Sequence, residues 1–99
     1  MSGQIEQRLA ELGVSLPDAP VPAANYVPFV RTGNLVHISG QLSNDAAGGI
    51  KGTVGDDVSP EQAQAAARMC GVNLLAQIKD ALGGDLERVV RIVKLGGFV

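Results

Sequence analysis

The chain has 99 residues, eight basic against ten acidic side chains, and 3% aromatic residues. This length supports one domain with a modest core; the scattered basic residues and scarce aromatics disfavour nucleic-acid binding, which concentrates Lys and Arg on one face. A single cysteine excludes an internal disulfide and is typical of a reducing compartment. With no secretory signal and no apolar run of roughly 20 residues, we expect a cytoplasmic protein without a membrane segment.

The first part of the chain predicts a short helix followed by an extended, proline-rich segment. Ile5, Leu9 and Leu12 recur at helical spacing within a leading helix over residues 1–13. Four prolines then fall between positions 14 and 28. Because proline fixes φ and lacks an N–H, residues 16–23 are expected to run extended over the surface.

A β-hairpin is predicted within residues 24–54. Apolar runs over 26–30 and 35–39 flank Gly33-Asn34, which is a typical hairpin turn signal. Pro28 indicates that the first strand lies at a sheet edge or carries a bulge, since proline contributes no donor to a ladder. A loop and a candidate short third strand follow, over 43–49 and 50–54.

A long helix over residues 60–83 carries the most specific local signals. Ser59 suits its N-cap, Pro60 its first position and Gln62 the capping-box position. The stripe predicted to be buried recurs every three or four residues and consists of Ala63, Ala67, Cys70, Leu74, Ile78 and Leu82. Apolar residues at both parities of 89–98 then predict a strand covered on both faces, and the order of elements indicates an α+β domain.

Several residues that often carry chemistry lack the partners that chemistry requires. His37 is the single histidine and has no metal-ligand neighbour by spacing, so we expect a structural or surface role and no metal site. Cys70 lies on the apolar stripe and is expected to act as a small hydrophobe. Asp56-Asp57 precede the long helix, so we interpret them as favourable negative charges at its positive N-terminal end rather than as a cation site. The remaining candidate is Ser39-Gly40-Gln41, which taken alone favours a strand-to-turn transition over a ligand site.

The sequence around that tripeptide favours a ligand site instead, because several stretches together match the pattern of a known family. They are PVPAANY at 20–26, SGQ at 39–41 thirteen residues after the tyrosine, GNLV at 33–36, the helix register of Gln62-Ala63 and Val72-Asn73-Leu74, and GGDLERVV at 83–90. In this combination, which covers nearly the whole chain, the sequence resembles the RidA (reactive intermediate deaminase A) family, also called YjgF-like or endoribonuclease L-PSP.

The resemblance implies a chorismate-mutase-like α+β fold in a homotrimer with ligand clefts between subunits. Better-known members hydrolyse reactive enamines and imines, such as 2-aminoacrylate, to 2-oxo acids and ammonia without a cofactor. By motif match, Ser39 would be the catalytic residue that contacts the ligand or a water. Tyr26 would line the cleft, and Gly40 and Gln41 would bind the substrate.

The same resemblance implies that residues 1–99 are one domain, equivalent to the amino-terminal two-thirds of the family pattern, without its last helix and two strands. The family's carboxylate-gripping arginine and an acidic residue near the water fall in that further part. The expected partners are therefore a small carboxylate ligand, further copies of the chain, and a carboxy-terminal fragment of the same protein. A non-catalytic trimer that binds small carboxylates is the alternative function, and a ribonuclease is the third.

Overall fold

The computed structural model of the chain describes residues 3–22, 24–45 and 48–99. Its elements are α1 Gln4–Glu11, β1 Phe29–Thr32, β2 Leu35–Ile38, β3 Asn44–Asp45, β4 Gly48–Gly49, α2 Pro60–Ala81 and a 3-10 helix Leu86–Arg88. This is a small α+β fold. Positions 1–2 of the predicted leading helix, Ala23 of the proline-rich motif and positions 46–47 of the predicted loop lie outside the described residues.

Helix α1 is held at its start by a residue from the other end of the chain. Its N-cap is Gly3, which has no side chain to satisfy the first N–H groups. The Glu87 carboxylate accepts a hydrogen bond from the Ile5 N–H at 2.6 Å, and Glu6 pairs with Lys79 of α2 at 2.9 Å. Leu9 supplies the buried contact of this helix. The leading helix therefore packs on the body of the domain, as its apolar spacing predicts.

The predicted hairpin is confirmed as an antiparallel pair in which Phe29 faces Ile38 and Thr32 faces Leu35. The chain reverses through Gly33-Asn34, where Gly33 has φ +58° and Asn34 has no positive φ. A positive φ at the first central position alone is the pattern of a type II′ turn, which requires glycine there. The first strand begins at Phe29 rather than at the predicted residue 26, because Pro28 has no N–H for the ladder.

The segment after the hairpin differs from the prediction. Strands β3 and β4 form a small hairpin inside the predicted loop, whereas residues 50–54 form no strand and Val54 makes an isolated bridge. The reason is a local turn. Gly52 has φ +142°, and the Thr53 N–H donates to the Asp57 carboxylate at 2.6 Å. These contacts curl the chain before α2 instead of extending it.

Helix α2 begins as its sequence predicts. Ser59 Oγ accepts a hydrogen bond from the Gln62 N–H at 3.1 Å, and Gln62 Oε1 accepts one from the Ser59 N–H at 2.8 Å. Pro60 occupies the first helical position, so the capping box is complete. Within the described residues, neither helix has the combination of length and apolarity needed to cross a bilayer.

The buried face of α2 is rotated from the predicted stripe. Asn73, Ala76 and Gln77 are the buried residues of this helix, whereas Ala67, which the stripe includes, is exposed. The stripe assumed that apolar residues define the inner face. In the structure that face meets backbone carbonyls of the proline-rich segment and of the chain after β2, so amide side chains lie inward to satisfy them.

The chain leaves much apolar surface uncovered. Its accessible surface is 7571 Å², against about 5,300 Å² for a compact monomer of this mass. Its radius of gyration is 14.4 Å, against about 13 Å for a compact domain of this length. Residues 90–99 are all exposed, and residues 89–99 contain no strand, which differs from the predicted strand over 89–98. A strand requires a hydrogen-bonded neighbour, and these residues have none within the described chain.

Candidate functional site

The site begins where the β1–β2 ladder stops. Ser39 follows β2 and lies opposite Pro28, whose carbonyl accepts from the Ser39 N–H at 2.9 Å and from Ser39 Oγ at 3.1 Å. Pro28 offers no N–H in return, so the Ser39 carbonyl receives no ladder donor. The Gln41 side chain supplies one, since its Nε2 donates to that carbonyl at 3.1 Å. A hydrogen bond between the first and third residues of Ser39-Gly40-Gln41 thus holds this tripeptide together at the end of β2.

This arrangement leaves donors for a ligand. Among the described residues, the backbone N–H groups of Gly40 and Gln41 have no acceptor. The Ser39 hydroxyl hydrogen is directed at Pro28, which leaves the oxygen lone pairs as acceptors. Gly40 adds no side chain to the surface, and a Cβ at this position would meet nothing within 4 Å. A ligand can therefore approach the backbone closely.

A shallow pocket brings all four predicted site residues together. It measures about 40 Å³ and its lining comprises Pro20, Val21, Pro22, Tyr26, Pro28, Ser39, Gly40, Gln41, Leu42, Asn73 and Gln77. Tyr26 lies in the turn before β1 and is 45% exposed at the rim. A volume of this size has room for about three water molecules, each of which needs roughly 10–15 Å³. The pocket of one chain is therefore too small to enclose a metabolite. The functional roles assigned to these residues remain predictions.

Two residues of the pocket wall, Asn73 and Gln77, come from α2 and are not in the predicted site. Asn73 Nδ2 donates to the Leu42 carbonyl at 2.9 Å, and Gln77 Nε2 donates to the Pro20 carbonyl at 2.7 Å. They are 3% and 1% exposed respectively. The available signal was their spacing: two amides four residues apart, within the otherwise apolar run VNLLAQI, lie on one face of a helix.

The pocket lining carries no charged side chain. His37 lies on the exposed face of β2 and is not part of the pocket, which agrees with the expected surface role. Cys70 is half-buried on α2 and forms no disulfide. Among the described residues, no three His, Cys, Asp or Glu side chains come close enough to hold a metal ion. The site as described therefore offers hydrogen bonds and apolar contact rather than charge.

One curated protein and two solved structures are similar to this chain. No protein-family model matches the chain. The chain is 46% identical over 99 residues to the protein TCP17 of Trypanosoma cruzi, covering 99% of this chain and 61% of that protein. The match therefore includes the segments that line the pocket, and the relative is longer than this chain.

The solved structures are similarly longer. The crystal structure of Atu1372 from Agrobacterium tumefaciens, a protein of unknown function, matches 90% of this chain and 54% of its own with a TM-score of 0.77 and 49% identity. A Shewanella oneidensis protein named as a candidate endoribonuclease matches 79% of this chain and 52% of its own, with a TM-score of 0.73 and 32% identity. The chain thus spans about half to three-fifths of the proteins it matches.

Proposed function

We propose that this chain forms one wall of an enamine/imine deaminase site of the RidA type, on a chorismate-mutase-like α+β framework. The supports are the sequence pattern around Tyr26 and Ser39 and the structural similarity to a Shewanella oneidensis protein named as a candidate endoribonuclease, a description that the RidA family also carries. The reaction class is hydrolysis of a reactive enamine or imine, such as 2-aminoacrylate, to a 2-oxo acid and ammonia in the cytoplasm.

The observation that carries this proposal is the convergence of Tyr26, Ser39, Gly40 and Gln41 on one pocket. An enamine first becomes the imine, as a proton moves from its nitrogen to its terminal carbon. In the hydrolysis, a water oxygen adds to the carbon of the C=N bond, the C–N bond then breaks, and the nitrogen leaves as ammonia with the two water protons. The chain's residues need to hold the water and the substrate carboxylate in place. The lone pairs of Ser39 Oγ suit the water, and the N–H groups of Gly40 and Gln41 suit the carboxylate.

The described site is one side of a cleft. A pocket of about 40 Å³ with an uncharged lining needs a second wall to enclose a substrate and to neutralise its carboxylate. We propose that the second wall comes from another copy of the chain in a homotrimer, completed by the carboxy-terminal segment that the resemblance to the RidA family implies. The exposed apolar side chains near the end of the chain, such as Val90, Val93 and Leu95 at 71–96% exposure, support an assembly of this kind, because exposed apolar patches mark interaction sites.

Ammonia release from 2-aminoacrylate generated in situ tests the proposal. The measurement uses the chain alone and the chain mixed with a carboxy-terminal segment that contains the last helix and two strands of the family pattern. We expect release above background in the complemented sample and a fall of at least about tenfold in Ser39→Ala, equivalent to about 1.4 kcal/mol. A rate equal to background in every sample would contradict a deaminase.

A non-catalytic binding protein for small carboxylates is the second candidate. It is favoured by the composition of the pocket wall, which lacks a carboxylate or imidazole that could take a proton from water. Saturable binding of a 2-oxo acid without ammonia release would support this candidate over the enzyme.

A ribonuclease is the third candidate, supported by the name of the Shewanella oneidensis neighbour. The net charge of −2 and the uncharged pocket oppose it, because RNA backbone binding depends on Lys and Arg contacts with phosphates. RNA cleavage that persists after rigorous removal of contaminating nucleases, and that is lost in Ser39→Ala, would place this candidate first.

A further inference from the structure

The pocket has apolar residues that the proposed hydrolysis does not use. That reaction places the water at Ser39 and the substrate carboxylate at the N–H groups of Gly40 and Gln41. Val21 and Leu42 line the same pocket and serve neither group. Residues of this kind can still select the substrate, because an enzyme also draws binding energy from the part of its substrate that does not react.

These residues form an exposed rim around the pocket. Val21 is 88% exposed and Leu42 is 56% exposed, and Tyr26 lies beside them in the lining, also exposed. The amides of Asn73 and Gln77, in contrast, are buried in the inner wall. A molecule that enters the pocket can therefore contact the rim of Val21, Tyr26 and Leu42 without moving any residue of the chain.

The two buried amides hold the backbone of this rim in place. Gln77 Nε2 donates to the carbonyl of Pro20, directly before Val21, at 2.7 Å. Asn73 Nδ2 donates to the carbonyl of Leu42 itself at 2.9 Å. Val21 also lies between two prolines, whose φ angles are fixed. An apolar surface that is already fixed in position loses less conformational entropy when a ligand binds to it.

The chemistry of the lining defines the kind of ligand that fits. The N–H groups of Gly40 and Gln41 have no acceptor among the described residues and suit a carboxylate. The side chains of Val21 and Leu42 offer no hydrogen bond, and the pocket lining carries no charged side chain. A second charge on the ligand would lose water at this rim and gain no partner, which is unfavourable. The lining therefore suits a carboxylate group joined to an apolar side chain.

We propose that the site is specific for 2-imino acids, and for the 2-oxo acids formed from them, that carry a branched aliphatic side chain. Val21, Tyr26 and Leu42 are the specificity-determining residues. This inference rests on the proposed function and deepens it, because it names the substrate class. The ligand's carboxylate lies at Gly40 and Gln41, and its side chain lies along the rim. 2-Aminoacrylate has only a methylene group beyond the reacting carbon and leaves most of the rim uncovered.

Pyruvate and 4-methyl-2-oxopentanoate form a matched pair of probes. Both carry the same 2-oxo carboxylate, and the second has an isobutyl group where pyruvate has a methyl group. Titration calorimetry of the chain complemented as in the ammonia assay measures both affinities. Full burial of one methylene group strengthens binding about fourfold, so three further carbon atoms that are half buried should give a preference of roughly tenfold. 2-Oxoglutarate, which ends in a second carboxylate, should bind no more tightly than pyruvate.

The double variant Val21→Ser, Leu42→Ser tests the rim directly. We expect its preference for 4-methyl-2-oxopentanoate to fall to about twofold or less and its affinity for pyruvate to stay within about twofold of the wild type. Val27→Ser is the matched control, because Val27 is similarly exposed and lies outside the pocket lining. It should keep the full preference. Thermal unfolding checks that each variant is folded, and light scattering checks that its oligomeric state is unchanged.

Equal affinity of the wild type for the two matched probes, or tighter binding of 2-oxoglutarate, overturns this inference and leaves the proposed function standing. An unchanged preference in the double variant overturns the assignment of the rim. Dissociation of the double variant into single chains overturns it as well, because the rim is then an interface between copies. If the double variant does not fold, the three wild-type affinities decide. If none of the anions binds, the inference fails, and the ammonia assay shows whether the proposed function fails with it.

Discussion

Replacement of Gly40 by alanine distinguishes an effect on the stability of the fold from an effect on ligand binding in the pocket. Gly40 follows Ser39 after β2 and belongs to the pocket lining. It has no positive φ, and an added Cβ would meet no atom within 4 Å. Gly40→Ala therefore fits the unliganded chain without moving a neighbour.

The expected effects on the fold and on the site have opposite signs. Alanine at a compatible glycine position stabilises a protein by about 0.4–1 kcal/mol, because the unfolded chain loses conformational freedom. That change corresponds to a rise in Tm of a few degrees, roughly 2–8 °C. A methyl group at this position takes space from a pocket that measures only about 40 Å³. Affinity for pyruvate should therefore fall by at least about tenfold, or 1.4 kcal/mol.

Thermal unfolding of the chain by circular dichroism measures the first effect, and calorimetric titration with pyruvate of the chain complemented as in the ammonia assay measures the second. Gly71→Ala is the matched control, because Gly71 lies within α2, away from the pocket lining, and an added Cβ there also meets nothing within 4 Å. It should raise Tm and leave the affinity unchanged. Pyruvate binding that is retained in Gly40→Ala would refute the assignment of the Gly40 backbone as the surface that the ligand contacts.

Three further substitutions test the local contacts that hold the chain together, each by urea unfolding. Ser59→Ala removes the N-cap of α2 and should cost about 1 kcal/mol; an unchanged midpoint would mean that the cap carries no stability. Gly52→Ala places a Cβ 2.6 Å from the Asp57 carboxylate at φ +142° and should cost about 1–3 kcal/mol, whereas a neutral result would show that this turn rearranges easily. Glu87→Gln removes the negative charge at the start of α1 and should cost about 0.3–1 kcal/mol. That loss should shrink at 1 M salt, and a salt-independent loss would contradict an electrostatic origin.

The local signals of the sequence predicted the elements that depend on near neighbours. The turn at Gly33-Asn34 follows from the glycine at its first central position, and the start of α2 follows from the reciprocal bonds of Ser59 and Gln62. Each depends on residues within a few positions of one another. Such turns and caps depend on residues that are close together in the sequence, so they can be predicted without knowledge of the tertiary packing.

The features that the sequence did not predict depend on distant residues. The inner face of α2 is set by the Leu42 and Pro20 carbonyls, which lie 31 and 57 positions away from Asn73 and Gln77. Hydrophobic periodicity has no means of detecting a carbonyl that needs a donor. Pairing of a strand over 89–98 similarly depends on a neighbour elsewhere, and the run of apolar residues alone does not supply it.

The candidate site can be traced to one residue, Pro28. Because proline has no N–H, the β1–β2 ladder ends and the Ser39 carbonyl lacks a donor from the opposite strand. Gln41 satisfies that carbonyl with its Nε2, which turns its Oε1 toward Gln77. Gln77 then gives its amino group to Gln41 and to the Pro20 carbonyl, and its own oxygen is left without a donor among the described residues. The donor that Pro28 lacks is thus compensated by two side chains in turn, and the acceptor that stays unsatisfied is the buried oxygen of Gln77 instead of the Ser39 carbonyl at the strand end.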